Sequence, residues 1–212
     1  MAIIKVKPLL RGHFHQAMFF TALGACVPLI ARCHNRAEYL SVGIYSICTF
    51  AMLGISTLYH RVTWTPEQRQ QWKKYDHCGI YLMIAGTFTP VGVLALNETS
   101  CIKLLSTIWA VAIIGILQSI FFVNLPKMIS SALYLVAGYL ILPYLNEIED
   151  RIGLLNFWLI LSGGFSYSIG AIIYGLKRPI LNPNVFSYHE LFHIFVNIGV
   201  ILHFIVIHSL IH

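Results

Sequence analysis

Seven stretches of the chain run for about twenty residues with almost no charge, which is the length of α-helix that crosses a bilayer. They lie near 13–32, 39–60, 76–96, 103–123, 128–146, 154–176 and 189–210. Over the 212 residues, 58% are hydrophobic and 10% are charged, against about 25% charged in a soluble domain. The expected fold class is therefore all-α: one integral membrane domain over 1–212, a seven-transmembrane helix bundle. Lys5, Lys7 and Arg11 precede an apolar run, as in a signal peptide. No small-residue cleavage site follows, so the run reads as a retained first helix.

An odd number of spans puts the termini on opposite sides, and the basic residues choose which. One side carries Lys5, Lys7, Arg11, Arg61, Arg69, Lys73, Lys74, Lys127, Lys177 and Arg178. The other carries Arg32, Arg36, Lys103 and Arg151. The positive-inside rule then places the N-terminus in the cytoplasm and the C-terminus outside. The net charge of +6 resides in short loops. It speaks of topology and lipid headgroups, not of nucleic acid. The five cysteines are scattered, odd in number and form no C-x-x-C, which argues against a disulfide framework or a cysteine zinc site.

This orientation brings polar residues from three distant segments to one depth. Span 2 ends at the cytoplasmic face with His60; span 3 begins there with Asp76 and His77; span 7 begins there with His189 and His193. Spacing of i, i+4 puts His189 and His193 on one helix face, and Ser56 and His60 on another. Ionisable groups at membrane depth mark function by default. Two readings stand for the histidines: interfacial imidazoles facing headgroups and carbonyls, or ligands of Zn²⁺ with His60 as the third. Three protein ligands with an open position describe a catalytic zinc site. Asp76 is then a further ligand or the acceptor of a proton from an activated water, or else a helix-start carboxylate paired with Lys73 or Lys74. Ser56 hydrogen-bonds water or a substrate carbonyl, or back-bonds to its own helix. His203, ten residues beyond His193, lies roughly 15 Å further along the helix and is excluded from the same ion. His208 and His212 lie nearer the opposite surface. His13 and His15 begin span 1 on the cytoplasmic side, which makes them candidates to support the ligands from outside the ligand set, but they carry no spacing signal.

His189-Glu190-x-x-His193 also matches H-E-x-x-H, the zinc-protease pattern in which Glu is the general base. No acidic residue follows Glu190, and Asn182-Pro183-Asn184 supplies none before it. Ser162, Ser166 and Gly170 form a small-residue ladder suited to close helix contact. Pro28, Pro90 and Pro143 are expected to kink spans 1, 3 and 5.

Taken in order, Pro8-Leu9-Leu10-Arg11-Gly12, Ser56-x-x-x-His60, the run from Asp76-His77-Cys78-Gly79 through Ala85-Gly86-Thr87-Phe88-Thr89-Pro90, and His189-x-x-x-His193 with His203 resemble the haemolysin III family. This is the bacterial branch of the progestin and adiponectin-receptor superfamily, and the resemblance covers essentially the whole chain. It implies a seven-helix bundle in the bacterial cytoplasmic membrane with the N-terminus in the cytoplasm. It also implies zinc on His60, His189 and His193, with Asp76 and Ser56 beside the reacting water and His203 conserved without being a ligand. At Glu190 the related receptors carry a different polar residue, so the base role does not transfer. The implied activity is zinc-dependent hydrolysis of a lipid amide or ester, with a membrane lipid or fatty acyl ligand as partner. The alternatives are a receptor or regulator of membrane state with structural zinc, and the cytolysis in the family name.

Overall fold

A computed structural model describes residues 7–211; Lys5 and His212 fall outside the described residues. Every main element is helical: α1 (His13–Ala31), α2 (Arg36–Arg61), α3 (Pro66–Ala95), α4 (Glu98–Phe121), α5 (Lys127–Gly138), a 3₁₀ segment (Tyr139–Tyr144), α6 (Leu145–Leu176) and α7 (Tyr188–Ser209). Six helical runs among the described residues are long and apolar enough to cross a membrane, with Lys127–Leu176 as a single run of 50 residues.

Helix ends are set by side chains that take up the first free N–H groups. The Asn35 carboxamide accepts from the Glu38 N–H at 3.0 Å, and that of Asn97 accepts from Ser100 N–H at 3.0 Å. Thr65 and Gln68 form a reciprocal capping box with Pro66 next in line, so α3 starts ten residues before Asp76. The polar turns of Pro66–Tyr75 were expected to be loop; capping and proline override their lack of apolar character.

A second departure lies at 147–153, expected to be a loop between two spans. Helix α6 begins at Leu145 and runs through this acidic stretch, interrupted only at Gly153, whose φ of 77° and ψ of 162° suit glycine. Proline 143 falls within the 3₁₀ segment. Pro28 and Pro90 lie inside α1 and α3.

Side-chain contacts sort the helix ends into two sets. At one end, Gly12 packs against His60, Lys73 donates to Asn124 at 2.9 Å and Lys127 donates to Tyr188 at 3.3 Å. At the other, Arg32 meets His208 at 2.6 Å and the Asn97 carboxamide donates to Glu147 at 2.7 Å. The start of α5 lies beside the end of α6, where a Cβ on Gly175 would stand 3.5 Å from Met128. Further along, Tyr139 and Ser168 hydroxyls bond at 2.8 Å. Those contacts fold the 50-residue run back on itself.

The helices close into a ring in which each packs on its sequence neighbour and α1 meets α7. Helix α3 is the most enclosed and touches α5, α6 and α7 as well as its neighbours. Ser166 donates to the Phe195 carbonyl at 2.7 Å, and Gly170 admits Phe192 and Phe195. The expected small-residue contact thus joins α6 to α7, while Ser162 faces outward. Large apolar side chains such as Phe20, Ile47, Ile114, Phe121, Leu155 and Phe165 cover the outside, as befits a surface whose solvent is lipid.

Candidate metal centre

Three imidazoles converge at the end of the bundle that carries the N-terminal segment. His60 comes from the last turn of α2; His189 and His193 come from the first two turns of α7. All three are buried. Each offers a ring nitrogen within 4.8 Å of the other two, and the His60 and His189 Nε2 atoms are 3.1 Å apart. Ligand nitrogens around a tetrahedral ion with bonds of 2.0–2.1 Å stand about 3.3 Å apart, so closing the set needs only small side-chain movements. The donor set suits a borderline-soft divalent ion. Buried His193 Nδ1 also has no hydrogen-bond partner among the described residues, so nothing else in the fold claims that atom.

Asp76 Oδ2 lies 3.7 Å from His60 Nε2. It sits more than two turns inside α3, so it is not the helix-start carboxylate of the alternative reading. Lys73 is engaged with Asn124 instead. Ser56, one turn deeper than His60, is bonded to His15 Nδ1 at 3.0 Å and not to its own backbone.

His15 is the member that spacing alone does not single out. Its ring stacks on that of His193 with centroids 3.7 Å apart and planes within 5°. It therefore fixes the plane of one candidate ligand while holding the Ser56 hydroxyl. His13 is not part of this group; its Nδ1 faces Arg61 at 3.3 Å on the exposed side. His203 is also remote from the cluster, with its Nε2–H donating to the Ile160 carbonyl at 3.1 Å.

The segment before α1 ties the two ligand-bearing helices. Leu9 and Leu10 donate backbone hydrogen bonds to the Asn184 and Val185 carbonyls at 2.9 and 3.1 Å. Lys7 donates to the Arg61 carbonyl at 3.1 Å. Gly12 has φ +82°, and a Cβ there would meet His60 Cβ at 2.7 Å. Arg11 forms an ion pair with the fully buried Glu190. The other Glu190 oxygen accepts from Ser187 N–H at 2.9 Å. Both oxygens are thus committed away from the histidines, which removes the proton-acceptor role of the H-E-x-x-H pattern.

A cavity of about 330 Å³ opens from this cluster into the bundle. Its polar end holds Ser56, Asp76, His189 and His193, and its walls are mainly apolar side chains of α3, α5, α6 and α7. Tyr139, Leu142 and Phe165 line it while also lying on the outer surface, so the cavity reaches the apolar outer surface between the 3₁₀ segment and α6.

A helical integral membrane protein with three clustered histidines at one end is the class that fold and site define. Comparison with known proteins is specific: a family model described as haemolysin-III related matches residues 4–204. The chain belongs to that family. Hemolysin-3 of Bacillus cereus is 33% identical over 153 residues, covering 72% of this chain and 67% of that protein. The Hemolysin-3 homolog of Bacillus subtilis (strain 168) is 31% identical over 159 residues, covering 75% and 71% respectively.

Proposed function

We propose that the chain crosses the bacterial cytoplasmic membrane seven times, with its N-terminus in the cytoplasm and its C-terminus outside. His60, His189 and His193 hold Zn²⁺, and the protein hydrolyses an amide or ester bond of a membrane lipid. The seven-pass reading is supported by the reversal within Lys127–Leu176. That run would extend about 75 Å if straight, more than twice the roughly 30 Å of the hydrocarbon core. The orientation is supported by the excess of Lys and Arg on the side of the histidine cluster.

The observation that carries the hydrolase reading is the continuity of His189, His193, Asp76 and Ser56 with an apolar cavity that reaches the exposed apolar surface. An ion bound there supplies a Lewis acid that polarises a carbonyl and acidifies water. Asp76, beside His60, accepts the proton of the attacking water and returns it to the leaving amine or alcohol. Ser56, held by His15, positions that water or the substrate carbonyl. The apolar walls align the acyl chain so that its first carbonyl meets the cluster.

The test is lipid turnover by the detergent-purified chain with N-acyl and O-acyl lipids, in the natural sequence and in Asp76→Asn. Release of fatty acid that falls at least a hundredfold in Asp76→Asn, with metal content retained, supports hydrolysis. A second reading, structural zinc in a receptor or regulator, draws on the way the cluster joins α2 to α7. Retained biological activity in Asp76→Asn, with loss of the folded bundle in His60→Ala, favours it. Cytolysis, carried by the names of the Bacillus relatives, finds no water-soluble precursor in a chain this apolar.

A further inference from the structure

The inner end of the cavity carries a second polar pair, Thr87 on α3 and His203 on α7. Both residues are buried, 4% and 7% exposed. They border one small pocket of about 10 Å³, walled by Phe88, Val91, Ile141 and Ile160. The Ile160 carbonyl can only accept, so the His203 nitrogen bonded to it, Nε2, carries a proton. In the neutral ring Nδ1 is then an acceptor with its lone pair free, and it has no partner among the described residues. The Thr87 hydroxyl has none either.

Thr87 could satisfy itself as its neighbours do. Thr89 donates to the Ala85 carbonyl at 2.8 Å, Ser46 to Val42 at 2.8 Å and Thr57 to Leu53 at 2.7 Å. Instead its oxygen has no partner among the described residues at the inner end of the cavity. Buried atoms left without a partner lose their hydrogen bonds to water with nothing in exchange. A group that donates to His203 Nδ1 and bonds Thr87 Oγ1 makes good both losses, and a hydroxyl is the smallest that does.

We propose that Thr87 and His203 form an inner subsite for a hydroxyl on the acyl chain of the ligand, so that the preferred ligand is a hydroxylated acyl lipid. The inference rests on the lipid reading of the cavity. Ten residues separate His203 from His193, so the hydroxyl sits roughly 15 Å from the histidine cluster along α7. The subsite thus selects a hydroxyl far down the chain and not one beside the carbonyl. A ligand of the right length fills the cavity with its carbonyl at one polar end and its hydroxyl at the other.

The test uses the full-length chain in detergent and measures binding of stearate, 12-hydroxystearate and 2-hydroxystearate by titration calorimetry. The expected result is about tenfold tighter binding of 12-hydroxystearate than of the other two. In Thr87→Val, which keeps the shape and removes the hydroxyl, that preference falls below about threefold. In His203→Phe it is lost, and Thr87→Val decides the matter if His203→Phe does not fold. Equal binding of all three fatty acids by the natural chain overturns the inference and leaves the lipid reading standing. An unchanged preference in Thr87→Val also overturns it. No binding of any fatty acid overturns the lipid reading itself.

Discussion

Single atoms decide the chemistry at the histidine end. His189 and His193 could be paired from their i, i+4 spacing, and His60 and Asp76 joined them because topology set all four at one depth. His15 could not be found in this way. Its link to His193 is a stacked contact between α1 and α7, and such contacts leave no period in the sequence. Glu190 shows the reverse case, a motif residue with a false role, since its two oxygens serve Arg11 and the start of α7. Arg11→Met leaves the fully buried Glu190 carboxylate without its partner, a loss of up to about 3–5 kcal/mol, so it should lower the thermal unfolding midpoint clearly, as read by scanning fluorimetry. Glu190→Met should do the same, and the double change should cost less than the two single changes added. Gly12→Ala should destabilise by at least about 1 kcal/mol, because its backbone is left-handed and its new Cβ would press on His60. The same measurement reads it.

At the scale of helices, apolar length located the long apolar helical runs but not where helices begin. Helix α3 starts early because Thr65, Pro66 and Gln68 cap it, a signal that hydropathy ignores. The stretch 147–153 was read as loop from its charge, yet α6 already starts at Leu145 and is broken only by Gly153. The reversal between α5 and α6 should show in labelling from outside cells. A cysteine at Asp150 should react with a membrane-impermeant maleimide in intact cells, and one at Arg178 only after lysis. Equal labelling of both in intact cells would contradict seven passes. Pairing of α6 with α7 was legible in part, since Ser166 and Gly170 do admit Phe195. Ser162 shares their spacing but faces out, and Gly163 beside it makes the contact with His203 of α7 instead.

Across the whole molecule, the N-terminal segment, α2, α3 and α7 converge on one end, and the cavity leads from there to the apolar outer surface. Composition and apolar runs made an integral helical bundle legible; the cavity was not, because its walls are single side chains from several helices, brought together only by how α3 packs against α5, α6 and α7. The claim on which the rest depends is that His60, His189 and His193 together hold a metal ion. Metal analysis of the detergent-purified full chain tests it most directly. One zinc per chain is expected in the natural sequence and in Asp76→Asn, with less than a tenth of that in His60→Ala and in His193→Ala. Zinc content unchanged by both histidine substitutions, or no stoichiometric metal in the natural chain, would contradict it.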